Sequence, residues 1–421
     1  MGRRVEKLCF HAEKQIQYML KQKGVLSKNY LLLWSGQLVS QMGNRLYLMA
    51  LSWYFVSELG DNTALFLVFI FSSLPSLLFG AFVGPLIERW NKKHIMIGCD
   101  FICGALVGVL AWLVSINEAH NYIIYAVCFL LNTMNLFFSP SVNSMIPSIL
   151  DEDSYQQGMS YMKMITFLGQ IMGAAVGGLL VGFFGVYLTI LINAISFFIS
   201  GLAEIFITYK PEIVQKTGSY ISDLKSGLKY AWSDKTVRSV LTVSIACNLF
   251  IPTFMVFLPI VIKTHLGLDA RHYGFADAMM PMGAVVMAVF LSKVKFNLQP
   301  LQVLAMGIGG LAVAFMLTVF LPYYPVIMFS VFCYGCFTNF INIQVITYFL
   351  HRVDKDFRGR FFSILESFSF ASISISYVLS TILSSQFDTK IAILINAVCL
   401  IIITLTALML QRSVGRVNVR V

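Results

Sequence analysis

Apolar residues along this chain come in long blocks, and the polar residues fall in short breaks between them. After residue 29, twelve blocks follow one another, at roughly 30–57, 62–86, 94–115, 121–141, 155–183, 186–207, 237–262, 273–292, 300–321, 324–349, 360–385 and 389–410. A bilayer core about 30 Å thick needs a helix of about 20 apolar residues to cross it. No water is present there, so the backbone must be satisfied within a helix or a closed barrel. Barrel strands would alternate apolar and polar positions over about ten residues. These blocks do not, and the pattern predicts an all-α membrane protein of twelve transmembrane helices.

Two polar stretches are longer than the rest. Residues 1–29 are basic and read equally as a surface-lying amphipathic helix or as a solvated tail. The segment 208–238 divides the blocks six and six. Within it Ile221, Leu224, Leu228 and Trp232 share one helical face, with Lys225, Lys229 and Lys235 elsewhere. That is the pattern of a helix lying along a membrane surface. The organisation expected is a basic segment at 1–29, a six-helix bundle at 30–207, a linker at 208–236, a second six-helix bundle at 237–410 and a tail at 411–421. The loops entering the fifth and eleventh blocks (Asp153, Gly158 and Asp354, Gly359) echo one another, as two related halves would.

Composition agrees with lipid as the solvent. The 421 residues are 58% hydrophobic and 12% charged, against about 25% charged in soluble domains. The net charge of +10 raises the question of nucleic acid, and its placement answers no. With the N-terminus set in the cytoplasm, 25 of the 30 Lys and Arg fall in the tails and loops of that side. Positive residues mark the cytoplasmic side. Both termini are therefore expected inside, in the plasma or inner membrane, with anionic lipid as the partner of the basic loops. No cleavable signal peptide or myristoylation signal is visible.

Chemistry of other kinds finds little support. The eight cysteines are scattered, and Cys333 and Cys336 sit inside an apolar block as packing residues rather than a redox or metal motif. The six His show no ligand spacing, so no metal is expected. There is no Walker loop. Gly307, Gly309 and Gly310 lack the preceding strand of a dinucleotide site. No convergent acid, base and nucleophile set appears, so neither an enzyme nor a cofactor is expected.

The loop after the second block reads Gly84-Pro85-Leu86-Ile87-Glu88-Arg89-Trp90-Asn91-Lys92-Lys93. It resembles the G-x-L-x-D-R-x-G-R-K signature of the major facilitator superfamily, in the matching loop, with Glu88 for Asp and Asn91 for the second Gly. A carboxylate there can face the positive N-terminus of another helix. In the family that helix is the eleventh, which here begins Arg358-Gly359-Arg360. The resemblance implies a conformational latch of Gly84, Glu88, Arg89, Lys92, Lys93, Arg358 and Arg360, with Asp100 nearby. The fifth block carries Gly169, Gly173, Ala174, Gly177 and Gly178. This is similar to the G-x-x-x-G-P-x-x-G-G motif of the family's drug/proton antiporters, and small residues let helix backbones pack closely. Asp223-Leu224, Gly227-Leu228 and Tyr230, with Ser40 to Asn44 and Arg358 to Arg360, resemble the macrolide-efflux-like branch, which also holds siderophore exporters.

Gln37, Gln41, Asn44 and Arg45 fall on one face of the first block, and the fourth has Asn132, Asn135, Ser139 and Asn143. The seventh offers Asn248, and the tenth Asn339 and Asn342. In the family's fold those four helices line the central cavity, so these residues are the implied substrate path; interhelical hydrogen bonding is the plainer alternative for each. An intramembrane Arg costs about 2.5–3.5 kcal/mol on insertion scales, so Arg45 needs a partner. That partner is an acidic substrate group or an internal acid, Asp277 or Glu366. A desolvated carboxyl can also take up and release a proton as access alternates, which makes Asp277, Glu366, Asp100 and the more interfacial Glu204 coupling candidates. The function expected is a monomeric secondary transporter that exports a small amphiphilic compound, a macrolide-like antibiotic or another drug, against proton entry. A siderophore or peptide-antibiotic exporter is the alternative, and a channel or non-transporting receptor is the reading from another class.

Overall fold

A computed structural model of the chain describes residues 24–208, 232, 234–294, 298–353 and 358–418. The basic segment up to residue 23 lies outside these, as does the expected linker helix except for Trp232. The described residues are almost entirely helical and contain no strand. α1, Lys28–Trp53, starts at Ser27, whose side chain accepts from the Tyr30 N–H, and runs on through a π turn, Tyr54–Leu59. α2 is Asn62–Arg89, α3 Lys92–Ser115 and α4 Asn121–Ile149. Each cap by Asp61 or Asn91 satisfies an N–H that the first turn leaves free.

The next helical stretch, Glu152–Ile205, has 54 residues. Straight, it would be about 80 Å long, well over twice the bilayer core. Gly185 folds it back at φ 82°, a value that favours glycine, giving α5 (152–184) and α6 (186–205). α7 covers Lys235–His265 in two helical pieces that part around Pro252 and a closing π turn. α8 is Ala270–Lys293, α9 Pro300–Phe320, α10 Tyr324–Arg352, α11 Arg358–Gln386 and α12 Thr389–Asn418. α4 runs eight residues further than the apolar pattern indicates, straight through Pro140 and Pro147, and α12 likewise continues to Asn418. Prolines persist in transmembrane helices because neighbouring groups satisfy the freed backbone.

Ten of these stretches are long and apolar enough to cross a membrane. The 54-residue stretch counts there once although it makes two rods, and α1 falls short because its polar stripe lowers its hydropathy. The twelve rods alternate in direction, so Lys28 and Asn418 lie at one end of the molecule, called here the terminal end. α1 packs on the α5–α6 pair, α3 on α6, and α2 on α4; in the second half α8 packs on α10 and α9 on α12. The halves meet along α5–α8 and α2–α11. These two pairs exchange when each rod is shifted by six, which is the pairing a pseudo-two-fold axis requires. One apolar core, including Leu51, Phe55, Phe66, Phe254 and Phe257, runs through both halves. A smaller one, around Tyr30, Leu33, Met96 and Met145, fills the terminal end of the first half. Large exposed side chains such as Trp112, Phe183 and Met409 are the surface that lipid covers.

Candidate functional site

Between the halves lies a cavity of about 430 Å³. α1 gives it Ser40, Gln41, Asn44 and Tyr47; α4 gives Asn132 and Asn135. Opposite them stand Phe370, Ile373 and Tyr377 of α11, and Phe69, Ser72 and Ser76 of α2. Amides from α1 and α4, hydroxyls from α1 and α2, and aromatic rings from α2 and α11 thus share one lining. Asp100 of α3 also lines this space. Glu366 is spaced 4, 7 and 11 residues from Phe370, Ile373 and Tyr377, which places it on the same helical face about a turn nearer the terminal end, and it is exposed. Glu366 itself is not part of the cavity lining.

The opposite end is shut. Arg45 of α1 donates from Nη2 to Asp277 Oδ1 of α8 at 2.5 Å, with the aspartate side chain only 3% exposed. Among the two internal acids left open by the sequence, Asp277 is the partner. Trp53 stacks on Tyr273 with centroids 6.0 Å apart, and Lys263 Nζ lies 5.7 Å from the Trp53 ring. Phe66 meets Phe257 edge to face at 5.2 Å, Phe69 meets Tyr377 at 5.3 Å, and Arg271 sits 5.3 Å over Phe183. All join one half to the other, and all lie in the part of the rods away from the termini. Asp269, outside the membrane, caps α8 through the His272 N–H at 3.3 Å. Burial works to raise its carboxyl, but hydrogen bonds with Arg271 and His272 outweigh it and hold the carboxyl at about 2.

The glycines of α5 set this geometry. A Cβ on Gly169 would sit 2.7 Å from Gln41 Cβ, and one on Gly173 2.6 Å from the Met42 carbonyl and 2.7 Å from Arg45 Cβ. Their absence lets α1 lie against α5 with Gln41 on the cavity and Arg45 beside α8. A Cβ on Gly177 would come within 3.1 Å of Leu46, so it serves the same contact. Gly178 turns to the other half, where an added Cβ would lie 2.8 Å from the Ala270 carbonyl and from Gly274 Cα.

Other expected residues are placed differently. Gln37 is buried, and its Nε2 has no partner. Asn132 also donates to the Cys128 carbonyl of its own helix at 3.0 Å. Asn339 donates to the Ala284 carbonyl at 2.6 Å and ties α10 to α8. Asn342 is exposed and Asn248 half-buried, and neither lines the cavity. In the expected latch, Lys93 Nζ donates to the Ile205 carbonyl at 2.7 Å and Arg358 Nε to the Val353 carbonyl at 3.1 Å, each within its own half. The side chains of Gly84, Glu88, Arg89 and Arg360 lie outside the described ones. Lys92 is half-buried at the start of α3. Asp234, at the foot of α7, accepts from Arg352 at 2.6 and 3.0 Å. Burial raises its carboxyl, but these bonds and two backbone N–H groups bring it below its ordinary value. Cys336 donates its thiol to the Gly283 carbonyl at 3.3 Å, a packing contact. Sequence reasoning missed the α2 serines and the α11 aromatics of the cavity. Ser72, Ser73 and Ser76, grouped within an otherwise apolar run, were the available signal.

Comparison with known proteins supplies the family. The Major Facilitator Superfamily model matches residues 33–341 and 239–419. Macrolide efflux protein A of Streptococcus pyogenes is 20% identical over 386 residues, covering 90% of this chain and 95% of its own. The multidrug efflux pump Tap of Mycobacterium tuberculosis is 24% identical over 396 residues, covering 88% and 92%. Among solved structures, the nucleoside transporter NupG superposes with a TM-score of 0.70 at 14% identity, over 90% of this chain and 98% of that one. A bacterial homologue of the lysosomal transporter Spinster gives 0.69 at 12% identity, over 91% and 96%.

Proposed function

The chain belongs to the major facilitator superfamily, and from that premise we propose that it exports an amphiphilic drug-like compound from the cytoplasm by alternating access, driven by proton entry. It is a multi-pass membrane transporter and not an enzyme. One observation carries the transport reading, a cavity between the halves lined by amides, hydroxyls and aromatic rings and shut at the end away from the termini by Arg45–Asp277 and the rings around it; the efflux relatives favour the outward direction. Walls of this kind suit bulky substrates that combine apolar bodies with a few polar groups. The named activities of the efflux relatives support the same substrate class.

The charge distribution supports a cytoplasmic terminal end, since 25 of 30 Lys and Arg fall on that side. The arrangement described is then the inward-open one. Substrate enters beside Glu366 and lies between α1, α4 and α11. Release outward requires the halves to rock. Gly178 and Gly274 must part, and the Arg45–Asp277 bolt must open. Asp277 is already neutralised by Arg45, so it acts as the bolt rather than as the proton carrier.

The test is a susceptibility panel of macrolides and cationic dyes on cells lacking and overproducing the protein. Overproduction should raise resistance to at least one compound several-fold, roughly 1 kcal/mol or more in effective exposure, and an uncoupler should abolish the effect. Unchanged susceptibility and unchanged dye accumulation across the panel would remove the reading. Resistance that survives the uncoupler would remove proton coupling alone.

A further inference from the structure

We propose that Asp100, Ser200 and Glu204 form a binding site for one small monovalent cation, a proton or a sodium ion, inside the first six-helix bundle. The site lies where α3 and α6 touch and α1 closes over them. A Cβ on Gly201 would stand 3.3 Å from Asp100 Cβ, so the backbone of α6 rests directly on the aspartate. Ser200 and Glu204 flank Gly201 on the same face, four residues apart. A Cβ on Gly36 of α1 would be 3.3 Å from Ser200 Oγ, which sets α1 against the third side. Exposure is 2% for Asp100, 0% for Ser200, 1% for Glu204 and 6% for the adjoining Gln37.

These groups are unsatisfied. Asp100 Oδ2, both carboxyl oxygens of Glu204 and Gln37 Nε2 have no hydrogen-bond partner. Ser200 Oγ has no hydrogen-bond partner either. Two buried carboxylates in a membrane interior demand a counter-charge, and no described cationic side chain supplies it. Lys93 donates to the Ile205 carbonyl and makes no ion pair with Asp100 or Glu204, and Arg45 is paired with Asp277. Cys99 and Cys103, one turn apart on the same face of α3 as Asp100, bring no positive charge in either ionisation state. A single bound cation halves the buried charge; a sodium ion would give all four orphan oxygens a partner, and a proton would join two of them. Hard oxygen donors of this kind suit a proton or an alkali cation rather than a soft metal.

Asp100 also lines the cavity, while Glu204 lies next to the terminal end of α6. The site thus connects the substrate space to the side from which the cation is finally released. Its role as the coupling site rests on the transport reading above; its occupancy does not.

The experiment follows thermal unfolding of the purified full-length protein in detergent, in sodium chloride against choline chloride, at mildly acidic and mildly alkaline pH. A sodium site raises the wild-type midpoint in sodium by about 2–4 °C or more. A proton site leaves sodium without effect and raises the midpoint on acidification instead. In either arm D100N and E204Q should erase the response. S200A, which keeps both carboxyls and removes one oxygen, should reduce a sodium response while the protein still folds. A wild-type midpoint indifferent to both cations, or a D100N/E204Q protein that responds as wild type does, overturns the site. The readout uses no drug. A cation response without drug export would leave this site standing and remove the export reading, and export without a cation response would do the reverse.

Discussion

Arg45 lies in a transmembrane helix because Asp277, 232 residues away, answers it. A buried pair of this kind adds little over apolar packing, but breaking it leaves an uncompensated charge at about 3–5 kcal/mol. Asp277→Asn should therefore lower the unfolding midpoint strongly, and R45Q/D277N together should recover most of the loss. A double variant no more stable than the worse single one would show that the two charges do not act on each other. Glu366 makes a different contribution. It is exposed on the face of α11 that leads to the cavity, where it attracts cations by about 1 kcal/mol at close range through water. Glu366→Gln should raise the half-saturating concentration for ethidium roughly 3- to 10-fold, since 1.4 kcal/mol is tenfold, and leave a neutral probe unchanged. An equal effect on both probes would make Glu366 a structural residue. Sequence left an acidic substrate group and two internal acids as partners of Arg45 and could go no further. Helical spacing orders residues within a rod but says nothing of which rod lies opposite.

At the level of the helix, α5 shows how much a stripe can and cannot reveal. Its glycines were legible as close-packing positions from their spacing alone. That three of them receive α1 while Gly178 receives Gly274 of the other half was not, because the two glycines of α8, Gly274 and Gly283, are nine residues apart and form no close-packing stripe. A Cβ at Gly178 meets backbone atoms on α8 at 2.8 Å, which cannot swing aside as a side chain would, and overpacking of this sort costs about 1–3 kcal/mol. Gly178→Ala should wedge α5 from α8 and open the end away from the termini. A cysteine placed at buried Tyr273 should then react faster with an impermeant maleimide added outside. Gly80→Ala, where an added Cβ meets nothing within 4 Å, is the control and should leave the rate unchanged. Equal rates in the two backgrounds would mean that Gly178 does not set the closure. The end of α4 was set short for a related reason: the apolar block was closed at residue 141, before the polar residues Asn143 and Ser144, whereas the helix continues through Pro147 to Ile149.

For the whole molecule, the all-α membrane architecture was visible because bilayer thickness imposes a length on every apolar run. The polar stripes of the first and fourth blocks located one wall of the cavity, at Gln41, Asn44, Asn132 and Asn135. The facing wall on α11 was hidden because its Phe370 and Tyr377 look like any lipid-facing aromatics in sequence. Which end is shut depends on how the halves lean, and no single rod encodes that. The account as a whole stands on two bodies rocking about the cavity, so that one end closes as the other opens. Spin-label distances across the halves measure this directly, one pair at Glu118 and Tyr323 at the far end, the other at Glu152 and His351 at the terminal end, all exposed positions. On adding a transported drug with an imposed cation gradient, a population should appear in which the first pair lengthens and the second shortens together. Distances that stay fixed at both ends, or that lengthen at both ends at once as a channel would require, contradict it.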